Sequence, residues 1–288
     1  LRGNWTELRR LPLPTPVGWQ WVAASMLTFL LAYLVLIQTW RAILATWDSG
    51  LPFIAAARIW TVSNLGRYVP GKVWQIAAMG VLAQRAGVSP VAATGSAILG
   101  TAVNIAAGFL VVMATGWRLL AFPYSSAPAV AAAIVVATAA ALMVVPWLAP
   151  RAVRFAERTT GGTFELRMPP RRAIVYAVVG NVVGWILYGI AFQLLARGVI
   201  RDDHGGLAAY VAVYTLSYLV GYLVLPAPAG VGFREASMIT LMPAAGLATA
   251  AEAAILAIAS RLVLTILDIA PGLAFLGRDA LRRSPRAP

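Results

Sequence analysis

Two arginines and a lysine stand at breaks in otherwise apolar sequence, where their shared chemistry is the recognition of an anion, and a glutamate follows the second arginine. The first group lies in Asn64-Leu-Gly-Arg67-Tyr68-Val-Pro70-Gly71-Lys72, and Lys72 is the only lysine among 23 basic residues. The second is Pro226-Ala-Pro228-Ala-Gly230-Val-Gly232-Phe-Arg234-Glu235. Ionisable groups at membrane depth are costly, so by default they mark a substrate path or an internal partner. A helix that starts after either break turns a partly positive end toward the same region, which favours a phosphate. Arg67, Lys72 and Arg234 are therefore the expected substrate-binding cations, with Glu235 beside Arg234 as a gate. Tyr68 and Trp74 are candidates to line a headgroup pocket. Pro70, Gly71, Pro226, Pro228, Gly230 and Gly232 shape the breaks. The competing readings are structural: Arg67 and Lys72 snorkelling to lipid headgroups, Glu235 in an ion pair that fixes its hairpin, and both aromatics in packing.

The elements that position these residues must be membrane helices. Hydrophobic residues make up 60% of the 288-residue chain and charged residues 11%. Apolar runs at about 17–39, 89–116, 128–149, 172–196 and 248–276 are long enough to cross a hydrocarbon core of about 30 Å at 1.5 Å per residue. The net charge of +13 comes from arginines between spans rather than on one basic face, so it reports orientation and anionic lipid, not nucleic acid. Trp19, Trp21, Trp40, Trp47, Trp117 and Trp147 fall near span ends, where indoles suit the headgroup level. Gly180 and Gly184 form a small-xxx-small pair for close helix packing.

Residues 52–86 and 207–245 do not read as simple spans. Each has an apolar arm, a Pro/Gly break and a second arm ending at Gly87 or Gly246. Aligned on Gly71 and Gly230, they also match at Ala77/Ala236, Met79/Met238 and Leu82/Leu241. The expected fold is an all-α polytopic bundle, a single membrane domain over 1–288. Repeat 1 runs over about 17–116 with hairpin 52–86, 128–149 connects, and repeat 2 covers about 172–276 with hairpin 207–245. Three crossings between two re-entrant hairpins make the repeat inverted. The loop 151–172 holds six arginines against two glutamates, and the tail 278–288 four against one aspartate, which places both in the cytoplasm. The basic N-terminus falls outside in this arrangement, so a further span upstream is expected.

Several chemistries have no residues to carry them. The chain has no cysteine and one histidine, His204, which excludes thiolate sites and histidine metal clusters. It contains no nucleotide loop, no His-Glu-x-x-His and no nucleophile elbow. No catalytic residue, metal or cofactor is expected, and no enzymatic activity. Glu235, Glu252 and Asp268 are the acidic groups available within apolar sequence. Arg261 and Asp268 share a helix face but lie too far apart to pair, so each is expected to face a partner helix or a cavity. Asn104 and Asn181 are read as interhelical hydrogen bonds.

Leu65-Gly-Arg67-Tyr68-Val-Pro70-Gly71-Lys72-Val-Trp74 and Leu225-Pro226-Ala-Pro228-Ala-Gly230-Val-Gly232-Phe-Arg234-Glu235 resemble the transmembrane region of lysylphosphatidylglycerol synthases and their stand-alone, flippase-like YbhN-type relatives. Ala229 stands where the second motif usually has glycine, and Ser96–Asn104 lacks the charged residues often found after the first hairpin. The resemblance implies a multi-pass protein of the bacterial cytoplasmic (inner) membrane that moves or displays lipids. Some members also carry a soluble aminoacyl-transfer domain; these 288 residues do not include one, so the resemblance does not carry aminoacylation over to them.

The expected function is a lipid flippase, or a transporter of an anionic or lipid-linked substrate between leaflets. Its expected partners are a phospholipid or polyprenyl-linked lipid, with a homo-oligomer or a lipid-modifying enzyme as a further partner. The alternatives are a lipid-binding scaffold that moves nothing and, third, a membrane-embedded lipid transferase.

Overall fold

A computed structural model of the chain describes residues 17–47, 50–69, 73–120, 170–201, 205–224 and 227–283. The expected span 128–149, most of the basic loop 151–172, His204 and the break residues Pro70, Gly71, Lys72 and Pro226 lie outside the described residues. Helix is the only regular secondary structure among those described. The elements are α1 (Trp19–Leu44), α2 (Phe53–Asn64), a 3-10 turn (Leu65–Tyr68), α3 (Val73–Arg85), α4 (Pro90–Leu120) and α5 (Arg171–Val199). They continue as α6 (Leu207–Leu223), a second 3-10 turn (Pro228–Gly230), α7 (Phe233–Ala244) and α8 (Ala250–Arg283).

Helices α1, α4, α5 and α8 are long and apolar enough to cross a membrane. The chain is thus an all-α, multi-pass membrane bundle. Helices α2, α3 and α7 have 12, 13 and 12 residues, too short to cross alone when a core of about 30 Å takes about twenty. Proline precedes or opens α2, α4 and α5, where its missing N–H costs the helix nothing. Arms α3 and α7 end alike, on Gly87 (φ 87°) and Gly246 (φ 66°) in the left-handed conformation. Val88 then donates to the Ala83 carbonyl at 3.1 Å, and Leu247 to that of Met242 at 2.9 Å, closing each arm as a Schellman cap.

The most extensive helix contact joins α1 to α5. Gly180 and Gly184 permit it: a Cβ on Gly180 would fall onto the Thr39 side chain, and one on Gly184 would lie 2.9 Å from Leu36. Between the halves of the chain, α2 leans on α8 and α6 leans on α4, so each broken element rests on the other half's long helix. Helix α1 runs five residues past its expected end at 39, because Arg41 is stabilised there by donating from Nε to the Leu51 carbonyl at 2.6 Å. Trp40 consequently lies in the core, with Nε1 donating to Ser96 Oγ at 3.1 Å, and is not an interfacial indole.

Candidate functional site

The first break is wider than Pro70-Gly71 alone. Helix α2 tightens into the 3-10 turn from Leu65, and the chain folds back so closely that a Cβ on Gly66 would lie 2.9 Å from the α3 backbone. Gln75 Nε2 donates to Asn64 Oδ1 at 2.7 Å and pins the turn. This arrangement aims Arg67 and Tyr68 at α8. Arg67 Nη1 lies 3.2 Å from Asp268 Oδ2, and the Tyr68 hydroxyl donates to the same oxygen at 3.0 Å. Tyr33 of α1 donates to Oδ1 at 2.7 Å. Asp268 is only 3% exposed, so one buried carboxylate draws together three elements through charge-assisted bonds.

The second break is built on backbone that side chains disfavour. Ala229 has φ 47°, Gly230 φ 71° and Gly232 φ 85°. Gly230 also packs against α6, where a Cβ would meet the Gly221 carbonyl at 2.7 Å. A Cβ on Gly221 would in turn lie 2.8 Å from that of Arg234. The Arg234 side chain, in a residue 4% exposed, is thereby laid over the rings of Tyr214 and Tyr218 at 5.1 and 5.6 Å. Its Nη2 donates to Ser260 Oγ at 3.3 Å.

Glu235, one residue on, projects elsewhere. Its Oε2 accepts the Gly232 N–H at 2.7 Å and so caps its own helix. Its Oε1 lies 3.6 Å from Arg261 Nη1, which also donates to the Ala229 carbonyl at 2.8 Å. Glu252 serves a similar local purpose, accepting the N–H and hydroxyl of Thr249 at 2.8 Å at the start of α8.

The two breaks touch each other in the interior. Between them lies a cavity of about 40 Å³ whose charged lining is Arg67, Arg234, Arg261 and Asp268. A larger cavity of about 110 Å³ opens among α1 to α6. Arg67, Gln75, Tyr218 and Tyr222 border both and form the septum between them. Positive charge is in excess at the breaks even when Glu235 is counted. Arg67 Nε, Arg234 Nε and Arg261 Nη2 are buried donors with no hydrogen-bond partner among the described residues. Buried donors of this kind are costly unless an acceptor meets them, and an anion is the acceptor that also answers the charge.

Of the residues expected from sequence, Arg67, Tyr68 and Arg234 converge on the smaller cavity, with Glu235 one step behind through Arg261. Pro228, Gly230 and Gly232 sit in the second break as expected. Trp74 does not line the pocket: it is 53% exposed and borders neither cavity. Its neighbour Gln75 takes the inward position, because consecutive helical residues diverge by about 100°. Asn104 Nδ2 donates to Asn181 Oδ1 at 2.8 Å, the interhelical bond the sequence indicated. Gln75 and the α6 tyrosines were missed. Tyr210, Tyr214, Tyr218 and Tyr222 recur every fourth residue, the spacing of one helix face, which was the available signal. No group of His, Asp and Glu able to hold a metal occurs among the described residues.

Over residues 2–272 the chain matches the family described as the lysylphosphatidylglycerol synthase TM region. It belongs to that family. No curated protein matches it. In this lysylphosphatidylglycerol synthase TM-region chain, the two motifs that carry the resemblance end at the cavities and meet across them. Both therefore sit where the buried charge is, at the join between the two halves of the bundle.

Proposed function

We propose that the chain is a lipid flippase of the bacterial cytoplasmic membrane, passing an anionic or lipid-linked headgroup between leaflets. The observation that carries this reading is the meeting of two broken helices around buried, incompletely paired guanidinium groups. Backbone freed at a break inside a bilayer has to be satisfied by protein or by a polar cavity. Inverted repeats with broken helices near the midplane are the recurrent plan of transporters, in which one site faces two vestibules in turn. In this reading hairpin 52–86 opens to the cytoplasm and hairpin 207–245 to the exterior. Arg67 and Lys72 take the headgroup phosphate from the cytoplasmic side, Arg234 receives it beyond the septum, and Glu235 with Arg261 holds the exterior gate. The acidic groups beside the breaks, Asp268 and Glu235, serve as partners of arginines, which fits a carrier better than a transferase.

Purified protein in liposomes with fluorescent anionic and zwitterionic lipids tests the proposal through dithionite quenching. Anionic lipid should exchange leaflets, and exchange should vanish in a monodisperse Arg67→Gln/Lys72→Gln variant. Exchange unchanged by that variant would sink the assignment. Lipid that co-purifies without exchanging would favour the scaffold reading.

A further inference from the structure

The larger cavity has a lining of a different kind from the smaller. Among its described lining residues Arg67 alone is charged, and it lies at the septum. The walls are aromatic, with Trp60, Trp185, Tyr188, Tyr218 and Tyr222, and three amides interrupt them: Gln75, Asn104 and Asn181. The amide donors are largely spent inside the protein. Asn104 Nδ2 goes to Asn181 Oδ1 and Asn181 Nδ2 to the Ala177 carbonyl, each at 2.8 Å, while Gln75 Nε2 goes to Asn64 Oδ1 at 2.7 Å. Asn104 Oδ1, Gln75 Oε1 and the hydroxyls of Tyr188 and Tyr218 have no hydrogen bond among the described residues.

We propose that this cavity receives a ring polyol, a glycosyl or cyclitol headgroup attached through a single phosphate. Ring hydroxyls both donate and accept, which is what two amide oxygens and two phenols require together. Aromatic faces pack against the C–H faces of such a ring. Arg67, planar and permanently charged, meets the phosphate at the septum, where the path continues toward Arg234. A cationic aminoacyl headgroup would find no carboxylate in these walls and would face the like charge of Arg67, and a cation buried without a countercharge is costly. A choline group would suit the aromatic faces but would leave the amide and phenol oxygens unpaired. At about 110 Å³ the cavity takes several water-sized groups, one ring rather than a glycan. The inference rests on reading the two cavities as a headgroup path.

Titration of the full chain in nanodiscs with dodecyl phosphate, dodecyl phosphoglucose, dodecylphosphocholine and short-chain lysylphosphatidylglycerol, read by tryptophan fluorescence, tests it. A parallel titration with dodecyl phosphoinositol separates glycosyl from cyclitol. A ring-polyol ester should bind about tenfold more tightly than the other three, a difference the size of one or two hydrogen bonds. The Tyr188→Phe/Tyr218→Phe variant loses only hydroxyls without a hydrogen bond among the described residues, so its Tm should hold while the ring preference disappears. Gln75→Leu should weaken the same preference. Equal or tighter binding of the choline or lysyl lipid, a preference unmoved by the tyrosine variant, or no binding at all would each overturn the proposal. Ring preference without leaflet exchange would instead sink the transport reading and leave this one standing.

Discussion

Arg67 and Asp268 are 201 positions apart in sequence and 3.2 Å apart in the fold, and their ion pair ties the first break to the last long helix. Removing one partner strands the other. Asp268→Asn should cost about 3–5 kcal/mol, since it leaves a largely buried guanidinium without its countercharge. Arg67→Met combined with Asp268→Leu should cost clearly less than the two single changes summed. Unfolding of detergent-solubilised protein measures the cycle, and strict additivity would show that the pair is not coupled.

Ala229 carries a Cβ in a backbone conformation that suits glycine. Its φ of 47° and ψ of 21° lie in the left-handed region, which costs a residue bearing Cβ about 1–2 kcal/mol. Ala229→Gly should therefore raise stability by about 1 kcal/mol, after the greater freedom glycine brings to the unfolded chain. A lower Tm in the glycine variant would contradict the backbone geometry of the second break.

The seam between α1 and α5 predicts a compensating pair. Gly180→Ala places a methyl on the Thr39 side chain and should destabilise by about 1–3 kcal/mol, as overpacking does. Thr39→Ala removes the hydroxyl and methyl that are struck and should recover part of the loss. Equal Tm values for Gly180→Ala with and without Thr39→Ala would argue against this register.

Arg234 should not tolerate lysine. Lysine keeps the charge but lacks the plane that lies over Tyr214 and Tyr218. The expected loss is about 1–2 kcal/mol, part of a desolvated cation–π contact, concentrated at the second break. Amide exchange across residues 228–238 should quicken in Arg234→Lys while exchange in α1 stays unchanged.

Hydropathy and proline–glycine punctuation made the long helices and both breaks legible, because these features are local. Glu235 and Asp268 could be recognised as needing partners, since a lone carboxylate in apolar sequence is rarely stable. Their partners could not be read, because Asp268 meets Tyr33 and Arg67 only after the chain has closed over hundreds of residues. Trp74 and Gln75 were exchanged for a related reason. The inward face of α3 is fixed by the fold-back at Gly66, a contact across the break, and not by periodicity. Trp40 was misplaced because α1 outlasts its apolar stretch, held at its end by a side chain from outside that pattern.

The resting of α2 on α8 and of α6 on α4 bears on whether either half could stand apart. Each half of the chain thus completes the shelter of the other half's broken helix. Expressed alone, either half would therefore bare a helix face that the other half covers in the intact bundle. In the register that aligns Gly71 with Gly230, Gln75 falls at the position of Arg234, so the two sides of the join bring different chemistry to it.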